Sequence, residues 1–216
     1  MQKLATLILT SLLLLSGCQN NHTALNAFSS IKEKFFKSET EIRTDAALTA
    51  IRDGDLDRAE LEAAQIAAPF QRCSTFGQIA HFLIVEKNDL ISAKKIADKM
   101  EDNIPDIASK EDKLFAQIQL ADLKHFIDRG ESEKLLKAIH PDVWSIVNPD
   151  ERSRLLIRLV ALELETLRDV KKAKQTIEET EQTIEFIQSH DRKQRRAREL
   201  NNLLFVNNHI LCQATQ

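Results

Sequence analysis

The sequence predicts an all-α protein of stacked α-helical hairpins closed by a C-terminal capping helix. Three observations carry that expectation: few turn formers, apolar residues at helical spacing, and a turn that recurs along the chain. Glycine and proline number 4 each in 216 residues, too few for the turns of a β-sandwich or barrel. Hydrophobic residues make up 43% of the chain and charged ones 29%, a mix that buries a core and excludes intrinsic disorder. A net charge of −3 gives no general attraction to nucleic acid, so none is expected as a partner.

Residues 1–17 read as a signal peptide. Lys3 supplies a positive start, and Leu4 to Leu15 is an uncharged, Leu-rich run. As a helix that run spans about 18 Å, short of a hydrocarbon core of about 30 Å. It ends in Leu15-Ser16-Gly17-Cys18, which resembles the lipobox of bacterial lipoproteins. The resemblance implies cleavage before Cys18, acylation of that residue, and retention at a membrane. Gln19 after the cysteine implies the outer membrane, with the chain on its periplasmic face. Residues 18–27 are a polar, lipidated tether, and residues 28–216 form a single α-helical repeat domain.

The repeat begins with Gly54-Asp55-Leu56-Asp57-Arg58-Ala59, which returns as Asn88-Asp89-Leu90-Ile91-Ser92-Ala93. Weaker echoes follow at Gly130-Glu131-Ser132-Glu133-Lys134-Leu135 and Arg168-Asp169-Val170-Lys171-Lys172-Ala173. Amphipathic runs lead into each: Ala47, Ala50 and Ile51; Ala80, Leu83 and Ile84; Leu120, Leu123 and Ile127; Val160, Leu164 and Leu167. These are steps of three and four, one face of a helix. Gly or Asn takes the left-handed position ending one helix, and the acidic residue after it starts the next.

Breakers set the boundaries. Pro69 closes the first pair and Asn103-Ile104-Pro105-Asp106 the second. His140-Pro141 and Asn148-Pro149-Asp150 enclose a short segment holding Trp144, with Asn148 as a helix cap. After Ser189-His190-Asp191 a final helix runs from about Arg192 to Leu211, with Leu200, Leu203, Leu204 and Leu211 along one face. It serves as the end cap that stacked repeats need.

The spacing and the Gly-Asp-x-x-x-Ala turn resemble the tetratricopeptide repeat over about residues 40–185; a related α-hairpin solenoid fits as well. The usual first-helix aromatics of that family are replaced by Arg43, Ala46, Ala47 and Ala50, and by Gly77, Ala80, His81 and Ile84. The resemblance implies a short right-handed solenoid whose first helices line a concave, partner-binding surface. Carrying the register over places Thr44, Gln78, Phe82, Lys124, Arg158 and Leu162 there. Phe82 suits a peptide anchor; the alternative is that Phe82 and Leu162 are core residues.

No phosphate loop, nucleophile elbow, zinc helix or Cys-x-x-Cys pair is present, so no enzyme, cofactor or metal is expected. Asp122-x-x-His125 is half a metal site at most, and a solvated polar face is the plainer reading. His81, between Ala80 and Phe82, is expected between helices. Glu163 and Glu165 point to different sides of a helix and form no catalytic pair. With Cys18 lipidated, an oxidising compartment allows a Cys73–Cys212 disulfide if the last helix folds back far enough. The basic run Arg192-Lys193-Gln194-Arg195-Arg196-Ala197-Arg198 is a solvated face balanced by Glu178 to Glu185, or a contact for anionic lipid or an acidic partner.

These readings converge on an outer-membrane lipoprotein that acts as an adaptor for another envelope protein, similar in design to the pilotins of secretin channels. An exclusion, immunity-type or purely structural lipoprotein is the alternative.

Overall fold

The computed structural model describes residues 38–213, with side chains to residue 211. The lipobox, Cys18 and the tether lie outside the described residues. Among the described residues every regular element is helical, and those from Thr40 onward form one compact unit. The elements are α1 (Glu39–Asp53), α2 (Leu56–Ala64), α3 (Pro69–Val85), α4 (Leu90–Asn103), α5 (Lys110–Ile127), α6 (Arg129–Trp144), α7 (Pro149–Ala161), α8 (Val170–Glu185), α9 (His190–Val206) and α10 (Asn208–Gln213). A 3-10 turn, Ile104–Asp106, follows α4, and a π-helical turn, Leu162–Thr166, extends α7.

The turn within each pair has a local cause. Gly54, Asn88 and Arg168 adopt φ of 83°, 51° and 57°, the left-handed conformation that stops a helix. The aspartate after each caps the next helix: Asp55, Asp89 and Asp169 accept from the backbone N–H of Arg58, Ser92 and Lys172 at 3.0, 3.0 and 3.1 Å. The third turn departs from the expected register. Asp128 alone ends α5 and caps α6, accepting from Glu131 N–H at 3.1 Å, while Gly130 lies inside the helix. The residue four past each cap is Ala59, Ala93, Ser132 or Ala173, all fully buried. The small position of the third pair is therefore Ser132, whose Oγ donates to the Ala121 carbonyl at 2.7 Å, not Leu135.

The loops between pairs share a second repeat. Each buries one isoleucine, Ile66, Ile107, Ile146 or Ile187, whose N–H closes a tight turn at 3.1 Å onto the carbonyl three residues back. The next helix then starts at Pro69 or just behind the N-cap residues Ser109, Asn148 and Ser189; Asn148 Oδ1 accepts from Asp150 N–H at 3.0 Å, as its sequence position predicts. Pro141 does not break the chain. It sits in the last turn of α6, which runs on to Trp144, so the short segment expected there belongs to that helix.

Packing follows the pairing. α3 lies on α4, α5 on α6 and α7 on α8, and α5 touches both α3 and α7. α5 accordingly carries two apolar faces. Ala116, Leu120 and Leu123 join the core formed with α1 to α4, while Leu114, Ile118 and Ala121 join the next one, with Leu136, Ile139 and Leu156. The final helix is two pieces rather than one. Asn207 interrupts it at φ −97°, ψ 10°, with Nδ2 donating to Glu165 Oε1 and to the Leu203 carbonyl, both at 3.0 Å. A side-chain amide that bonds the preceding turn competes with helix propagation. Leu200, Leu203, Leu204 and Leu211 do pack inward.

α9 is fixed by a buried ion pair. Arg196 Nε donates to Asp150 Oδ1 at 2.7 Å and its Nη1 to Glu199 at 2.8 Å. One member of the basic run is thus structural.

Candidate functional site

A cleft of about 640 Å3 runs across the first helices of the four pairs, α1, α3, α5 and α7. Its floor includes Ile51, Ile118, Leu123 and Leu162, which these helices turn inward because they belong to the core stripes. Gly77 leaves room for the Gln119 side chain: a Cβ there would collide with its amide end, which lies against the glycine in the cleft wall. Asp122 ties α5 to the π-helical turn, accepting from Thr166 Oγ1 at 2.7 Å.

Four of the six residues placed by register line this cleft: Gln78, Phe82, Arg158 and Leu162. Gln78 and Arg158 are exposed, Phe82 is half-buried and Leu162 is buried in the core. Phe82 packs on the first core with one edge and carries Lys87 Nζ 5.6 Å above its ring. Arg158 and Arg154 both sit over Phe115, at 5.2 and 5.4 Å from the ring centre.

Thr44 and Lys124 are corrections. Thr44 lies one helical turn beyond Leu48, at the cleft's end, and its hydroxyl donates back to the Thr40 carbonyl at 2.9 Å. Lys124 is buried on the other side of α5, with Nζ 2.6 Å from Glu101 and 2.9 Å from Glu131. Burial lowers its pKa, but the hydrogen bonds and charges of the two glutamates outweigh that and raise it. The cause of the misplacement is the third turn. Asp128 joins α5 to α6 with no left-handed residue between them, so counting back from Gly130 misses the cleft face, and Gln119 and Asp122 lie there instead.

Sequence reasoning also missed His81, which is exposed in the cleft rather than held between helices. The lining joins Arg52, His81 and Arg158 with Glu86, Asp122 and Glu165 around an apolar floor. The cleft therefore offers apolar contact flanked by charges of both signs. Asp122 and His125 belong to no group of three or more metal-ligating side chains among the described residues.

Glu163 and Glu165 do diverge: Glu165 lines the cleft, and Glu163 is fully buried with His140 Nε2 at 3.4 Å and Lys172 Nζ at 3.5 Å. The π-helical turn, closed by Leu167 N–H on the Leu162 carbonyl at 2.9 Å, places it there, and no spacing in the sequence announces such a turn. Cys73 is a free thiol, buried with Sγ 3.7 Å from the Met100 carbonyl, and burial pushes its pKa up to about 11. Cys212, the partner expected for it, lies in the last helix, α10, with its side chain outside the described residues.

Compared with known proteins, the chain matches no family model, no curated protein and no solved structure.

Proposed function

We propose that the chain is a lipoprotein held at the outer membrane through Cys18, whose tetratricopeptide-like solenoid binds a segment of another envelope protein and helps it assemble. The cleft carries this reading. Its walls come from the first helix of every pair, where the resemblance to the tetratricopeptide repeat puts the partner. Four residues chosen from the repeat register fall in it. The right-handed stack, the capping role of α9 and α10, and the pilotin-like role belong to the same proposal. So does a function by binding rather than catalysis. No helix among the described residues is long and apolar enough to cross a membrane, and the proposal places the anchor elsewhere in the chain. The Leu15-Ser16-Gly17-Cys18 sequence supplies one.

Two variants test the two halves. Cys18→Ala moves the protein out of the membrane fraction while leaving its helical content unchanged. Phe82→Ala leaves it in the membrane and removes one dominant crosslinked envelope partner, with affinity falling about tenfold or more. Retention of Cys18→Ala in the membrane contradicts the anchor. Unchanged crosslinking of Phe82→Ala contradicts the cleft.

A further inference from the structure

A second surface lies away from the cleft, on the loops that join α6 to α7 and α8 to α9. Each inter-pair loop needs one buried isoleucine, and the loops holding Ile66 and Ile107 flank it with Gln65 and Ala67, or Asp106 and Ala108. The last two loops differ. Val147 follows Ile146 and is 91% exposed, and Phe186 precedes Ile187 and is 71% exposed. Packing does not require either side chain, since the same turn closes in the first two loops without a large apolar neighbour. Both border one shallow depression with Lys110, Arg152 and Arg192. Arg152 also stacks over Trp144 at 5.3 Å, so the partly exposed indole joins the patch. Of the two acids on the rim, Asp150 is held inward by Arg196 at 2.7 Å and lies 3.6 Å from Arg192, so three cations stand against Glu111 and a carboxylate already shared with Arg196.

We propose that this edge rests on an anionic lipid bilayer. Val147 and Phe186 enter the interface, Trp144 lies at its level, and Lys110, Arg152 and Arg192 meet the headgroup phosphates. Protruding apolar tips ringed by cations fit a soft, negatively charged surface, where tryptophan also partitions. A protein hot spot would instead centre on a desolvated pocket. The inference extends the membrane side of the proposed function, and it is read independently of Cys18.

Trp144 is the one tryptophan of a chain without tyrosine, so its emission reports this edge alone. The full chain is mixed with phosphatidylcholine vesicles, with or without phosphatidylglycerol, whose acyl chains carry bromine. Flotation on pure phosphatidylcholine reads the anchor; Trp144 emission and quenching read the edge. The expected result is a blue shift with bromine quenching only when phosphatidylglycerol is present. Val147→Asp with Phe186→Asp loses both signals while the chain still floats and keeps its circular dichroism. Arg192→Glu weakens the anionic-vesicle dependence about fivefold or more. Unquenched Trp144 in phosphatidylglycerol vesicles, or quenching unchanged in the double variant, overturns the proposal whatever flotation shows. A Trp144 shift produced by the crosslinked envelope protein and not by vesicles also overturns it, and assigns the edge to a protein partner.

Discussion

Arg168 holds a left-handed conformation that costs an L-residue with a long side chain about 1 kcal/mol relative to glycine. Arg168→Gly should therefore raise stability by about 1 kcal/mol, read as a higher urea midpoint with an unchanged slope. Gly54 and Asn88, at the equivalent places, show which residues that position prefers. Asp89 makes a pH-dependent contribution. The Ser92 N–H holds its carboxyl below the ordinary 3.8, so the folded state favours the ionised form. The stabilisation is present above that value and is lost as the pH falls through the lower folded pKa. The thermal deficit of Asp89→Ala should be full at neutral pH and vanish in strong acid. Cys73, raised to about 11 from 9.0, has the opposite sense. The unfolded chain ionises first, so stability declines as the pH rises above 9, and the native thiol resists modification until the protein unfolds.

At the scale of the element, register decides what the sequence reveals. The motif Gly-Asp-x-x-x-Ala located three of four turns because each needs the same left-handed residue, aspartate cap and small buried side chain. It failed at the third, where Gly130 looked like the turn but sits inside α6. Asp128 had the capping chemistry and Ser132 the small size, yet no glycine stood before them. That slip, together with a third turn shorter than the others, put Lys124 on the wrong face and left Gln119 and Asp122 out of the expected site. Ser132→Leu should overpack the α5–α6 contact and destabilise by about 1–3 kcal/mol, whereas exposed Lys134 tolerates change. The placement of α9 depends on Asp150 and Arg196, both nearly inaccessible. Asp150→Ala leaves a buried guanidinium with Glu199 alone and should cost about 3 kcal/mol in chemical denaturation. Asp150→Leu combined with Arg196→Met should recover most of that loss.

Across the whole molecule, the helical class and most boundaries were legible because apolar spacing and capping residues act locally. The break at Asn207 and the π-helical turn were not, since each rests on tertiary contacts: Asn207 with Glu165, and Glu163 beside His140 and Lys172. Much of the cleft was legible once the repeats were aligned, because equivalent positions on successive first helices face the same way. His81 was misread since an exposed cleft wall and a packed interface carry the same neighbours, Ala80 and Phe82. The adaptor reading makes one face of the molecule productive and its opposite inert. The most direct test places a photocrosslinking side chain at Gln78, in the cleft, or at Ile91, 76% exposed on the second helix of the same pair. Each variant is irradiated in intact cells, and the products are resolved by mass spectrometry. The account predicts one dominant envelope protein crosslinked from Gln78, absent from Ile91, and lost when Phe82→Ala is added. Equal products from both positions, or none from Gln78, would contradict a binding cleft.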